Sequence, residues 1–412
     1  MSATTRVLLA LTVGALTGLL LAGWDPAMAL KVAEVAQPIG KLWLNGLQMT
    51  VVPLVLALIV VGVNTATDAA ASGRIARRAI VAFIVLLALG ASFTALVAPW
   101  VFRLFPHSPA LTEALAHAVV PANAQTAPSG WVESITSMVP SNAIQAAAQS
   151  AMLPLVVFAL FLGFALTRIA PQRRAMLVEF FQAIADAMIV IVRWVLWLAP
   201  VGVFALILAV CARAGLSMLS ALGVYVLVEC LMYLAVTLMM MLVAVTWGGE
   251  KFRRFVAALV PPQAVAISTQ SSLASLPAML ESADQRLGYR KQVTALVLPM
   301  AVTLFRLTSP VQYLVSASFI AWAYGIDLSA AQLAAGAALA VVVSLGSVGL
   351  PGQVTFIATN LPVAQSMGLP VGPLGLMLAV DTLPDAIATL GNVTADLTAT
   401  AVVVRQSTDE LA

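Results

Sequence analysis

The segment Asp381-Thr382-Leu383-Pro384-Asp385-Ala386-Ile387-Ala388-Thr389-Leu390-Gly391-Asn392-Val393-Thr394-Ala395-Asp396 decides the fold. It sits in otherwise apolar sequence, yet carries three carboxylates and an amide at spacings i, i+4, i+11 and i+15. At about 100° per residue these fall at roughly 0°, 40°, 20° and 60°, one narrow helix face. A charge at the centre of a bilayer costs about 2.5 to 3.5 kcal/mol on insertion scales, so such a face must look into protein or water. Asp381, nearest the outer end, reads as the most structural of the three acids.

Upstream of Asp381 no charged residue occurs back to Asp327, and Gly346-Ser347-Val348-Gly349-Leu350-Pro351-Gly352 breaks that run in the middle. Two glycines and a Pro-Gly do not continue a helix, so the run reads as a hairpin with its tip there. A second interruption lies at Ser268-Thr269-Gln270-Ser271-Ser272, soon after Pro261-Pro262. Non-helical backbone at membrane depth is tolerated only inside protein or beside a water-filled cavity, so this too reads as a re-entrant hairpin with a serine-rich tip. Charge-free runs give the remaining spans: Val7 to Trp24, Leu42 to Thr67, Ala79 to Phe102 and Ser134 to Thr167. Ala187 to Ala212 holds only Arg193, Ala214 to Gly249 only Glu229, and Gln292 to Ile326 carries Arg306 mid-span. A helix of about 20 apolar residues crosses the hydrocarbon core. The first span, with Arg6 before it and Ala27-Met28-Ala29 after it, has features of a cleaved leader but is long for one.

The composition agrees. Of 412 residues, 62% are hydrophobic and 9% charged, far below the charge of a soluble domain. The net charge of +3 comes without a basic, aromatic-interleaved stripe, which excludes a nucleic-acid partner. Cys211 and Cys230 lack metal-ligand spacing and read as packed thiols, and His107 and His117 as solvated loop residues. Basic residues cluster at Arg6, at Arg74, Arg77 and Arg78, at Arg168, Arg173 and Arg174, and at Lys251, Arg253 and Arg254. They recur at Arg286, Arg290 and Lys291 and at Arg405. The excess of Lys and Arg on cytoplasmic loops then puts both termini in the cytoplasm of a cell, or inner, membrane. It also makes the two hairpins enter from opposite sides, an inverted pair with a binding site at the midplane. Arg306 is the expected partner of the acids. Arg193, followed by Trp194 and Trp197, reads as structural, against a neighbour or a headgroup. Glu229 has no evident partner. An intramembrane aspartyl enzyme is disfavoured, because its two carboxylates would have to face each other from different elements. A channel has no need of two opposed hairpins.

Five motifs carry a family resemblance. They are Pro38-Ile39-Gly40 through Met49-Thr50-Val51-Val52-Pro53-Leu54, Val139-Pro140-Ser141-Asn142 with Phe158 to Gly163, and Leu198-Ala199-Pro200-Val201-Gly202-Val203-Phe204. The other two are Val297 to Leu304 and, most specifically, Asn392-Val393-Thr394-Ala395-Asp396-Leu397-Thr398-Ala399-Thr400-Ala401. Over nearly its whole length the chain resembles the dicarboxylate/amino acid:cation symporters, the glutamate transporter family. The resemblance implies an all-α membrane protein of eight transmembrane helices plus two opposed re-entrant hairpins, a homotrimer, and an elevator mechanism. It implies scaffold segments at 1–70 and 129–215, and transport segments at 71–128 and 216–405, with a tail at 406–412. Within the last transport segment, the hairpins fall at 255–281 and 330–368 and the seventh and eighth helices at 292–326 and 371–404. The resemblance places the substrate between Ser271 and Ser272 at one tip and Val348, Gly349, Pro351 and Gly352 at the other. Asp385 would hold the substrate ammonium, Asn392 its carboxylate, and Ala388 and Thr389 would line the same face. Asn392 and Asp396 would be residual sodium ligands.

The departures set the expected function. Ala388 stands where acidic-substrate members carry arginine, and Gln270 where some carry another. Phe305-Arg306-Leu307-Thr308-Ser309 replaces the family's NMDGT, and Ala82, Val85 or Leu86, and Leu87 replace oxygen-bearing residues that help to bind sodium. At least one sodium site is therefore expected to be missing. Arg306 becomes a built-in cation, with Asp381 and Asp396 as its charge-balance or coupling partners. The expectation is a secondary transporter of small, neutral or non-acidic amino acids without a bound cofactor, sodium-independent, with a proton admissible as coupling ion. The alternative is a cation-coupled symporter of dicarboxylates or acidic amino acids, with Arg306 as the carboxylate clamp.

Overall fold

Asx and proline signals start several helices in the computed structural model, which describes residues 3–71, 73–106, 139–214, 216–346 and 352–408. Asp25 accepts from the backbone N–H of Ala27 (3.0 Å) and Met28 (3.1 Å) with Pro26 as first helical residue, and Asn142 accepts from Ile144 (2.9 Å) and Gln145 (3.1 Å). All regular structure among the described residues is helical. The helices are α1 Ala3–Trp24, α2 Pro26–Gln48, α3 Val51–Ala71, α4 Arg74–Phe102, α5 Ala143–Ala148, α6 Met152–Leu166, α7 Pro171–Trp197, α8 Ala199–Ala214 and α9 Leu216–Thr246. They continue with α10 Phe252–Thr269, α11 Ser272–Glu281, α12 Lys291–Leu304, α13 Thr308–Tyr324, α14 Ala330–Gly346, α15 Gly352–Ser366, α16 Leu374–Val380 and α17 Thr382–Thr408. Among the described residues, six helical stretches are long and apolar enough to cross a membrane: Pro26–Ala70, Arg74–Phe102, Pro171–Trp197, Met218–Thr246, Lys291–Tyr324 and Pro384–Ser407.

Several spans expected to be single helices are broken. Ser134 to Thr167 resolves, from residue 139 onward, into α5 and α6, parted by Ser150 at φ 53°. Ala187 to Ala212 is two helices that part at Leu198, two residues before Pro200. Pro261-Pro262, by contrast, lies within α10, which runs on to Thr269 and turns at Gln270, in the left-handed region at φ 50°, into α11. The last helix bends at Asp381, because Pro384 has no N–H to give to the preceding turn. The four polar residues of that segment therefore do not lie along one straight helix. Most consequentially, Gln292 to Ile326 is unwound at Phe305 and Arg306 between α12 and α13, so Arg306 lies on non-helical backbone.

α17 is the hub of the C-terminal half, packing against α9, α10, α11, α12, α13 and α4. An 18-residue stretch of it is 83% buried, against 17% for α7, which turns most of its surface outward. Asp396, in the middle of α17, therefore looks into protein, as the cost of an ion in lipid requires. At the other end of the fold α1, α2 and α8 pack along one another. The second hairpin tip, with Val348, Gly349 and Pro351, lies outside the described residues, as do His107 and His117.

Candidate substrate and cation site

The site is assembled around the break between α12 and α13. Unwinding there exposes the N–H of Thr308, and the side chain of Asn392 on α17 accepts it through Oδ1 at 3.0 Å. Fixing the amide oxygen fixes the other end of the group, so Asn392 presents its Nδ2 donors, suited to a carboxylate. One turn along α13, Gln312 donates from Nε2 to Asp381 Oδ1 at 2.9 Å. Thr389 turns its hydroxyl onto the Asp385 carbonyl at 2.8 Å. α17 comes so close that a Cβ at Gly391 would lie 2.8 Å from Thr308 Cγ2 and 2.9 Å from Thr237 Oγ1.

Arg306 is half-buried and lies two residues before Thr308, whose N–H Asn392 holds. Its backbone carbonyl accepts from Ser344 Oγ on α14 at 3.2 Å. Asp385 and Asp396 lie on α17, and Asp381 at the junction of α16 and α17. Asp396 is fully buried, and among the described residues neither of its carboxylate oxygens has a hydrogen-bond partner. Such a group calls for a cation or a proton.

The surroundings fit sodium poorly. Hard cations need several oxygen ligands. Where the sequence led us to look for them, the fold has carbon: the Phe305 ring stacks on Phe83 of α4 at a centroid distance of 4.9 Å and an interplanar angle of 9°. Leu307, fully buried, packs against Gly90, where an added Cβ would lie 3.0 Å from Leu307 Cδ1. Leu86 and Leu87 are also fully buried, and Ala82 nearly so. Among the described residues no group of three or more His, Cys, Asp or Glu side chains could hold a metal ion. Asn392 and Asp396 are left as side-chain oxygens, one of them already accepting from Thr308.

At the first tip Ser271 caps α11, accepting from Ala274 N at 3.2 Å, and Ser271 and Ser272 are half-buried. Both α10 and α11 pack on α17. Gly352 is the first residue of α15. Ala388 is 7% exposed and adds no polar group to the face that bears Asp385 and Asn392.

Some site residues were not foreseen. Glu229 is fully buried on α9 and accepts from Tyr233 OH at 3.0 Å, a partner that i,i+4 spacing advertises. Tyr225 OH lies 3.4 Å from Ser316 Oγ on α13. Gln263 on α10 donates to Thr394 Oγ1 at 2.9 Å, and Thr398 donates to the Met240 carbonyl at 3.1 Å, tying α17 to its neighbours. Polar residues on otherwise apolar helices are the sequence signal for this group.

The profile of the Sodium:dicarboxylate symporter family matches residues 3–406. The chain belongs to that family. It is 29% identical over 408 residues to the Proton/glutamate-aspartate symporter of Escherichia coli (strain K12), covering 97% of this chain and 92% of that one. It is 28% identical over 370 residues to the Proton/sodium-glutamate symport protein of Bacillus caldotenax, covering 88% and 86%. It is also 28% identical over 426 residues to the Neutral amino acid transporter B(0) of Bos taurus, covering 94% and 77%. These relatives are membrane transporters, not enzymes, and so is the family member described here.

Proposed function

We propose that this symporter-family chain moves small neutral amino acids across the cell membrane without sodium, with Arg306 as a tethered cation that balances the carboxylates of α17. The observation that carries this reading is the filling of the α4 side of the break by Phe83, Phe305 and Leu307, while Arg306 lies on the same break, two residues before the Thr308 N–H that Asn392 of α17 holds. A guanidinium fixed by the chain replaces a mobile ion and needs no hydration shell removed at each turnover. The substrate ammonium goes to Asp385 and its carboxylate to the Nδ2 of Asn392 and the N–H groups of the hairpin tips. With Ala388 in place of a guanidinium, a second carboxylate finds no clamp at that position. Where an ion accompanies the substrate, it is a proton on the unpartnered Asp396 carboxylate.

The wider arrangement follows the family reading: a static scaffold at 1–70 and 129–215, a transport body at 71–128 and 216–405 that slides as an elevator, eight spans with two re-entrant hairpins, a homotrimer, and cytoplasmic termini. A second reading has one observation in its favour, the place of Arg306 two residues before the Thr308 N–H that Asn392 holds. There Arg306 clamps the side-chain carboxylate of an acidic amino acid or dicarboxylate, and the E. coli relative's name fits that class. Competition for uptake into proteoliposomes separates the two. Alanine, serine and other small neutral amino acids compete on the first reading, whereas aspartate, glutamate or succinate compete on the second.

A further inference from the structure

Away from this site, a cavity of about 270 Å³ opens where the N-terminal turn of α1, the C-terminal part of α2, the α7–α8 junction and α16 meet. Trp43, Val203 and Leu378 form its floor, and Arg6, Arg193 and Trp197 its rim. The floor is rigid. Trp43 Nε1 donates to the Val195 carbonyl at 3.0 Å, and a Cβ at Gly202 would overlap the indole. Arg6 and Arg193 are both exposed, and among the described residues neither has a hydrogen-bond or ion-pair partner. Two unpaired guanidiniums on one apolar cavity call for an anion.

The surroundings say which anion. Leu9, Leu42, Trp194, Trp197 and Val201 are 54%, 74%, 67%, 71% and 58% exposed. On long apolar helices such a surface faces acyl chains, and tryptophans gather where hydrocarbon meets headgroups. A soluble anion would have to cross that layer to reach the rim, whereas a phospholipid brings its phosphate with it. We infer that the cavity binds one anionic phospholipid, its phosphate held between Arg6 and Arg193 and its acyl chains lying over Trp197 and the neighbouring apolar surface. Because Leu378 is three residues before Asp381, the lipid touches the helix that leads into the site. This places it between α8 and α16, where it influences how readily they shift. That consequence rests on the transport reading, and the binding does not.

The test is native mass spectrometry of the detergent-purified full chain titrated with phosphatidylglycerol or phosphatidylcholine, beside uptake into vesicles of either lipid. The intact protein retains one phosphatidylglycerol per chain in preference to phosphatidylcholine. The R6Q/R193Q variant weakens that retention about thirtyfold, the equivalent of about 2 kcal/mol at about 1 kcal/mol per basic residue. R193K alone, keeping the charge but not the fork, weakens it less. Uptake rises with phosphatidylglycerol in the intact protein and no longer does so in the double variant. Equal retention of the two lipids by the intact protein, or an undiminished preference in the double variant, overturns the proposal. So does displacement of the lipid by millimolar inorganic phosphate, or a fall in oligomeric state with lipid retention unchanged, which would assign the rim to a second copy of the chain. Since retention is read without transport, an inactive carrier leaves the binding result intact.

Discussion

The two flanks of the break at Phe305 and Arg306 differ in kind. Towards α4 the contact is hydrocarbon, Phe305 on Phe83 and Leu307 on Gly90. Towards α17 it is polar, with Asn392 on the N–H of Thr308, Gln312 on Asp381, and Asp396 buried without a partner. A protein interior tolerates a bare carboxylate only when something neutralises it, and needs nothing for a stacked ring pair. The contrast therefore separates two tasks that share one helix break. On the proposed reading, the polar face takes the amino acid's ammonium and carboxylate, and the apolar face leaves no oxygen cage for a sodium ion. Arg306, on the unwound backbone between them, is the cation that this reading sets in place of sodium.

Five variants probe this contrast, taken in order of falling effect. Asp385→Ala removes the ammonium partner and leaves Arg306 with one carboxylate fewer. Loss of a buried charge-assisted partner of about 3 kcal/mol predicts an uptake rate lowered about a hundredfold at subsaturating substrate, measured with labelled amino acid in proteoliposomes. Normal uptake would remove Asp385 from the site. Arg306→Met leaves the aspartates without their fixed cation, and a loss of about 2 kcal/mol predicts uptake down about thirtyfold, not recovered by sodium. Adding Phe305→Asn and Leu307→Asp to that variant reopens the hydrocarbon side, and sodium is then expected to restore part of the uptake. Unchanged kinetics for Arg306→Met alone would end both roles offered for the guanidinium.

Gly391→Ala tests how closely the polar flank is drawn together, since the new methyl meets Thr308 and Thr237. Overpacking of this kind costs about 1–3 kcal/mol, and a lower Tm in detergent by thermal-shift assay is the expected sign. An unaltered Tm would mean that α17 moves aside freely. At the first hairpin tip, Gln270 is a non-glycine residue at φ 50°, and Gln270→Gly relieves strain of order 1 kcal/mol. The expected outcome is a slightly raised Tm with uptake retained, and a fall in Tm would show that the Gln270 side chain holds the turn.

How much of this was legible beforehand depends on how far a signal travels along the chain. Asp381, Asp385, Asn392 and Asp396 stood out because charge in an apolar segment is costly and a helix fixes its own angular arithmetic. The turn at Gln270 was announced by its serines and threonines. The break at Phe305 was not, because neither Phe305 nor Arg306 is a glycine or proline and the flanking Pro299 and Pro310 sit inside helices. The stack of Phe305 on Phe83 joins residues far apart in sequence, a pairing that local pattern cannot encode. The partner of Glu229 was readable, four residues on at Tyr233, from helix spacing alone. The cavity beside Trp43 was not, for it needs α1, α2, α8 and α16 brought together at once.

Most depends on the proposal that the chain's own guanidinium stands in for sodium. Initial uptake of a labelled small neutral amino acid into proteoliposomes should be measured with sodium, potassium and pH gradients imposed one at a time. The account predicts saturable uptake that is the same in sodium and in choline buffers. Uptake that vanishes when sodium is replaced, and returns in proportion to an inward sodium gradient, would contradict it.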